Sequence, residues 1–255
     1  LKNLKRNLEA EVDRFYIFAD FHLGINEQRD KEIIEKFLKT IEKLPEGTNI
    51  VLLGDIFDFW FEYKEVILKK YFPFLSGIWK YKDKLNFYFV AGNHDWWTGN
   101  FLEFFGIKTT KGHFTFDIEN KKILMAHGDG YFPRDIFGNL LTKILRNKIT
   151  TGIFYMFHPD IGFQIAKGIS RISRHNSSKK EVPHEIPPKV IKHFEEGYDV
   201  VILGHFHLPI FMQKDKKLYL NTGDFPGHES YIKIENNEIS LISKDKVLFK
   251  SKIGG

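Results

Sequence analysis

The chain alternates between short apolar runs and stretches in which apolar residues recur at helical spacing. Arg14 to Ala19 is rich in aromatic and branched side chains and predicts a strand. From Gln28 to Ile41, apolar residues at Ile33, Ile34, Phe37, Leu38 and Ile41 have charges between them, which predicts a helix with one face on a sheet. Pro45-Glu46-Gly47 turns the chain into Val51–Leu53, a second buried strand. Strand, helix, strand in this order predicts a parallel βαβ unit with a right-handed crossover. Phe59 to Lys84 is aromatic and basic and predicts two helices separated at Pro73. Leu85 to Ala91 predicts a third strand, Phe101 to Phe105 a short helix, and His113–Asp117 with Lys121–Ala126 a hairpin around Glu119-Asn120.

The pattern then changes. Residues 135–180 carry only helical spacing: Ile136, Phe137, Leu140, Leu141, Ile144 and Leu145, then Gly152 to Phe157, then Ile161 to Ile172. They predict an all-helical insertion, ending in the basic, serine-rich stretch Arg171 to Lys180. Pro183, Pro187 and Pro188 lead back to a helix over Val190–Glu196 and a strand over Val200–Leu203. Ile210–Met212, Lys217–Asn221, Ser230–Ile234 and Glu238–Ile242 predict antiparallel strands, so two sheets should face each other with helices outside.

Five of the apolar runs end in side chains of metal-ligand type. They are Asp20-Phe21-His22, Gly54-Asp55-Ile56-Phe57-Asp58, Gly92-Asn93-His94-Asp95, His127-Gly128-Asp129 and Gly204-His205-Phe206-His207. The chain has no cysteine, so thiolate sites are excluded and a metal must be held by oxygen or imidazole. Hydrolysis at a pair of ions about 3.5–4 Å apart needs such ligands and one shared carboxylate. Asp20, His22, Asp55 and His207 would serve one ion, and Asp55, Asn93, His127 and His205 the other. His94 is then left to protonate a leaving oxygen or to bind a phosphoryl oxygen. Asp58, Asp95 and Asp129 are read as supporting or turn residues, and His113, His158, His175, His184, His193 and His228, which sit in no matching motif, as structural.

Composition narrows the picture further. A chain of 255 residues with 42% hydrophobic content can bury a full core, and a single domain spanning residues 1–255 is expected. No apolar run approaches the roughly 20 residues of a membrane span, and no signal-type apolar segment is visible, so a cytoplasmic protein is expected. A net charge of +5 favours an anionic partner such as a phosphorylated metabolite or an acidic inner-membrane surface. Nucleic acid is disfavoured, because no basic stripe with interleaved aromatics is present.

The five segments, in this order, resemble the calcineurin-like metallophosphoesterase superfamily. That resemblance implies an α/β fold, a four-layer α/β/β/α sandwich, and two divalent ions, Mn first, with Fe, Zn, Co and Ni as alternatives. Within it the chain is similar to the UDP-2,3-diacylglucosamine pyrophosphohydrolase family, through Gly54 to Trp60, through Asp135 downstream of His127-Gly128-Asp129, and through an insertion ending in Asn176-Ser177-Ser178-Lys179. This resemblance implies that residues 135–180 form a lid over acyl chains, with Asn176, Lys179 and Asp135 contacting the substrate head group. The implied reaction converts UDP-2,3-diacylglucosamine to 2,3-diacylglucosamine 1-phosphate and UMP. His94 departs from that family, which has Arg after Gly-Asn; His can transfer a proton where Arg cannot. The competing expectations are a phosphoesterase of the same fold acting on a nucleotide or nucleic acid, and a scaffold of the same fold without metals. A scaffold should lack ligands, and this chain lacks none.

Overall fold

The computed structural model describes residues 14–118, 120–132, 143–144, 146–177 and 183–253. Its centre is two sheets packed face to face. The first has seven strands in the order β12-β11-β10-β1-β2-β3-β4, and the second five in the order β5-β6-β7-β9-β8. Strands β1 (Phe15–Phe18), β2 (Asn49–Leu52), β3 (Asn86–Val90) and β4 (Ile107–Thr110) run parallel to one another. On the other side of β1 the chain's final strands, β10 (Ser230–Glu235), β11 (Glu238–Ser243) and β12 (Lys246–Lys252), add antiparallel. In the second sheet β5 (His113–Ile118) and β6 (Lys121–Ala126) form the expected hairpin. Strand β7 (Val200–Leu203) lies parallel to β6 and to β9 (Lys217–Thr222), and β8 (Pro209–Lys214) closes the edge.

Strand alternation divides the core into three sheets of contact. Phe15, Ile17, Val51 and Val90 point between the two sheets and meet Phe114, Phe116, Met125 and Ile202. Phe18, Ile50, Leu52 and Phe89 point outward against α1 (Glu27–Glu42) and α2 (Phe72–Trp79), meeting Ile33, Phe37 and Phe74. On the far side Leu124, Val201, Leu203 and Tyr219 pack under Val190 and Phe194 of α6 (Pro188–Glu195). Helix, sheet, sheet, helix is therefore the layer order, as the resemblance implied.

Three details differ from the sequence expectation. The stretch 59–84 forms one α-helix, not two. Pro73 sits in the first turn of α2, where its missing N–H costs no helical bond, so it starts the helix instead of breaking one. Strands β4 and β12 were not expected. Both are edge strands with few buried side chains: Ile107 is the one buried residue of β4, and the apolar Val247 and Leu248 of β12 are exposed.

In the insertion, α4 (Lys148–Tyr155) and α5 (Pro159–Ser177) are described. Asn147 caps α4 by accepting a bond from the Ile149 N–H at 2.8 Å. Phe154 and Ala166 pack on Phe59 and Phe61, which follow the Asp55 motif, with Trp97 stacked on Phe154 at 5.3 Å. Two short helices, α3 (Phe101–Phe104) and α7 (Phe225–His228), and a 3-10 turn over Lys69–Tyr71 just before α2 complete the described elements. No helix among the described residues is long and apolar enough to cross a membrane.

Candidate active site

Every one of the five motif segments emerges from the same end of the two sheets. The turns that carry them are held in an unusual backbone state. Asp20, His22, Asp55, His205 and His207 all have positive φ, between 48° and 68°. Side chains other than glycine rarely adopt this conformation, at a cost of about 1–3 kcal/mol each in the less favoured regions, so such residues concentrate at functional sites.

Hydrogen bonds over-determine these turns. Arg29 on α1 donates to the carbonyls of Phe21 and His22, both at 3.0 Å. Asp95 accepts from the N–H groups of Gly92 at 2.7 Å and Ile56 at 2.8 Å, stapling the Asp55 turn to the Asn93 turn. Gly54 has φ +78°, and a Cβ there would fall 2.6 Å from the Gly92 nitrogen and 2.8 Å from His127 Nδ1. Only glycine permits so close an approach.

The side chains converge. His127 Nδ1 donates to the Leu53 carbonyl at 2.7 Å, which fixes its tautomer and turns the Nε2 lone pair inward when the ring is neutral. That atom lies 3.4 Å from Asp55 Oδ2, 3.2 Å from Asn93 Oδ1 and 3.2 Å from His205 Nδ1. On the other side, Asp20 Oδ1 lies 4.0 Å from His22 Nε2 and 3.8 Å from His207 Nε2. Asp55 Oδ2 is also 4.0 Å from His22 Nε2, so it stands between the two groups. His94 Nδ1 donates to the Asp58 carbonyl at 2.8 Å, leaving its Nε2 3.9 Å from Asp55 Oδ2. The structure thus brings together all eight of the predicted ligand and acid residues. Asp135 and Lys179 lie outside the described residues; Asn176 falls within α5, but its side chain is likewise outside them.

Residues 13–209 match the family model described as calcineurin-like phosphoesterase. The chain belongs to that family. It is similar to the UDP-2,3-diacylglucosamine hydrolase of Porphyromonas gingivalis (strain ATCC BAA-308 / W83), with 27% identity over 91% of this chain and 98% of that protein. The protein of the same name from Neisseria meningitidis serogroup B (strain ATCC BAA-335 / MC58) is 25% identical over 86% of this chain and 92% of its own length. The solved structure of an archaeal phosphodiesterase covers 90% of this chain and 99% of that chain, with 15% identity and a TM-score of 0.47.

A calcineurin-like phosphoesterase is a metal-dependent hydrolase, and the donor set of this one fits divalent cations. Asp20 Oδ1 is buried and has no hydrogen-bond partner among the described residues, although its Oδ2 accepts from the His205 N–H at 2.8 Å. A buried carboxylate oxygen without a partner is satisfied by a cation or by a proton, and burial pushes Asp20 well above the usual carboxylate range. The electrostatics agree. Burial opposes charge on His127, yet the carboxylates of Asp55, Asp20 and Asp129 overcome it and lift its pKa to about 10. Burial raises Asp95 to about 7, helped by Asp55. Protons and cations therefore compete for this cluster of carboxylates and imidazoles.

Metal uptake should accordingly release a proton. Below a pKa of about 10 the His127 ring is protonated, so a cation must displace its proton, and apparent affinity should rise about tenfold per pH unit for each proton displaced. Calorimetric titration with Mn²⁺ at pH 6.5 and 8, in buffers of different ionisation enthalpy, measures this; affinity independent of pH would contradict it.

Asp58, read from the sequence as a supporting or turn residue, approaches His22 Nδ1 at 3.8 Å and His94 Nδ1 at 4.0 Å, completing a third His/Asp group. One residue was missed by sequence reasoning. Arg146, in the turn before α4, pairs with Asp129 at 2.6 Å and stacks its guanidinium 3.5 Å from the centre of the Trp96 ring. A cavity of about 250 Å³ opens beside the cluster, from Asn93, His94 and Asp58 to Phe59, Trp97, Ile153, Phe154, Phe157 and Ile165.

Proposed function

We propose that this phosphoesterase cleaves the diphosphate of UDP-2,3-diacylglucosamine, giving 2,3-diacylglucosamine 1-phosphate and UMP. The observation that carries the reading is the apolar cavity, which begins at His94 and Asn93 and is walled by the side chains of α4 and α5. A phosphoryl-transfer centre for small polar esters has no use for such a wall, whereas an acylated substrate would bury its chains there. The named relatives at 25% and 27% identity support the same substrate.

In this reading Asp20, His22, Asp55 and His207 hold one ion, and Asp55, Asn93, His127 and His205 the other, with Mn²⁺ the expected metal. Bound there, two divalent ions neutralise the phosphoryl oxygens and lower the pKa of the attacking water. The chain's own residues do the rest. Asp55 fixes the spacing of the two ligand groups. Arg29, Asp95 and Gly54 hold the turns. His94 presents Nε2 toward the scissile bond and delivers a proton to the leaving oxygen, its Nδ1–H being committed to the Asp58 carbonyl. The lid walls exclude water from one side of the bond. Exposed Ile149 and Ile153 on α4, Met156 just after it and Ile161 on α5 suit contact with the inner membrane from the cytoplasmic side, where the substrate lies.

The test is UMP release from UDP-2,3-diacylglucosamine in Mn²⁺, beside hydrolysis of bis(p-nitrophenyl) phosphate, which has no acyl chain. The glycolipid should be much the better substrate. Ile165→Asp places a carboxylate in the cavity wall and should raise KM for the glycolipid by about 10- to 100-fold, with a far smaller effect on the aryl ester. Turnover of the aryl ester alone would discard the glycolipid and leave a general phosphodiesterase.

A further inference from the structure

The wall that α5 gives to the cavity has to stay in register with the metal-ligand turns, and one side chain outside the cavity reaches both. Lys70 lies on the 3-10 turn Lys69–Tyr71. That turn is itself anchored: Tyr71 is buried, and its hydroxyl donates to the carbonyl of Phe59, just beyond the Asp55 motif. From this fixed place the Lys70 ammonium donates to the Gly24 carbonyl at 2.8 Å, two residues past His22. Gly24 has φ +107°, its N–H donates to Asp30 Oδ2 at 2.6 Å, and a Cβ on it would collide with the ammonium. Glycine at this position is what lets the lysine reach the turn. The same ammonium lies 3.7 Å from the centre of the Phe163 ring on α5.

Phe163 packs against the cluster of Phe59, Phe61, Phe154 and Ala166, and the neighbouring Ile165, Ala166 and Ile169 of the same helix line the cavity. Keeping a half-buried ammonium here is costly. Burial lowers the Lys70 pKa to about 8, opposed by the Asp58 and Asp30 carboxylates, and Lys167, one turn beyond Phe163 on α5, adds repulsion. The charge that α5 brings to Lys70 is thus of the wrong sign, and what the helix offers it is the face of a ring. A cation over such a face is attracted by the ring quadrupole, more strongly where water is excluded. Apolar contacts hold a helix on its seat without direction, whereas a cation bonded to a fixed carbonyl and set over one ring also fixes where the helix lies.

We propose that Lys70 is a positioning residue for the cavity: by joining the Gly24 carbonyl to the Phe163 ring, it holds α5 in place relative to the turn that carries Asp20 and His22. The acyl-binding wall is thereby kept at a set distance from the reacting phosphate. Lys70 acts through Phe163 and not by touching substrate. Its use for acyl chains rests on the proposed glycolipid substrate; the contact itself does not.

The test is hydrogen exchange of the full chain at pH 7, read by mass spectrometry over residues 148–169, with β1 and β2 as reference. Lys70→Ala removes the cation, and Phe163→Leu removes the ring face while keeping apolar bulk. Each should speed exchange in α5 by about 3- to 30-fold, the span of a partly desolvated cation–π contact, with the strands unchanged. The double variant should exchange no faster than the faster single variant, because both changes remove one contact. Phe163→Tyr, which keeps the ring face, should exchange as the wild type does. With UDP-2,3-diacylglucosamine in Mn²⁺, Lys70→Ala should raise KM by about 3- to 30-fold. Its kcat, and both constants for bis(p-nitrophenyl) phosphate, should stay within about threefold of the wild type. Effects that multiply in the double variant, equal acceleration in the strands, or an unchanged glycolipid KM would overturn the positioning role. If Lys70→Ala fails to fold, the Phe163 pair decides: fast exchange in Phe163→Leu and slow exchange in Phe163→Tyr support the contact, and equal rates overturn it. A wild-type protein that releases no UMP would discard the glycolipid and its acyl wall, while exchange in α5 still decides whether Lys70 holds the helix.

Discussion

Asp55→Asn is expected to lower kcat/KM by about 10³-fold, since clamping by metals is worth several kcal/mol and each 1.36 kcal/mol is a factor of ten. Asp55 Oδ2 stands between the two ligand groups, 3.4 Å from His127 Nε2 and 4.0 Å from His22 Nε2, and an amide in its place cannot bring the same charge to both. The change spares the backbone. Residue 55 has φ +51°, a conformation asparagine tolerates better than most residues, and a side-chain oxygen can still accept the His94 N–H now bonded to Asp55 Oδ1 at 2.9 Å. Circular dichroism should therefore report an unchanged fold, while elemental analysis finds fewer than two ions per chain. A variant that keeps both ions and activity within about tenfold would remove Asp55 from the bridging position.

His94→Ala should show a loss of comparable size, about 10²- to 10⁴-fold, the range of a positioned general acid. The loss should depend on the leaving group. The Asp58 carbonyl holds Nδ1–H at 2.8 Å and so reserves Nε2 for the substrate. A sugar phosphate, whose second pKa is about 6, leaves at least as readily as p-nitrophenolate, whereas an unactivated phenolate, with a conjugate acid of pKa about 10, needs the proton far more. Hydrolysis of diphenyl phosphate should therefore suffer the full loss, and hydrolysis of UDP-2,3-diacylglucosamine and of bis(p-nitrophenyl) phosphate much less of it. Equal losses on all three would assign His94 to binding a phosphoryl oxygen, without proton transfer.

The candidate ligand positions were legible in the sequence because a short apolar strand followed by Gly, Asp, Asn or His is a local signal. Val51 to Asp55 and Val200 to His207 carry it in a handful of residues. What those residues do with their backbone was not legible, since no residue type announces that Asp20 or His205 will adopt positive φ. That is imposed by neighbours such as Arg29 and Asn221, whose amide donates to the Gly204 carbonyl at 2.6 Å. Strands β4 and β12 escaped for another reason. They form the two outer edges of the seven-stranded sheet, and Lys246 to Lys252 is mostly exposed, so its apolar residues, Val247-Leu248-Phe249 between two lysines, do not follow the alternation of a half-buried strand. Arg146 could not be read at all, because its meaning comes from Asp129 and Trp96, 17 and 50 positions away, and only the fold brings them to it. The helical character of the insertion's described part, α4 and α5, was visible from its spacing. Its apolar cavity became visible only when Phe154 and Ile165 were placed beside His94 and Trp97.

The most direct measurement is an anomalous difference map from crystals soaked in Mn²⁺. Two peaks about 3.5–4 Å apart are expected, one touching Asp20, His22 and His207, the other Asn93, His127 and His205, with Asp55 between them. A single peak, or peaks centred on the neighbouring group of His22, Asp58 and His94, would contradict the two-ion centre on which the proposed hydrolysis depends.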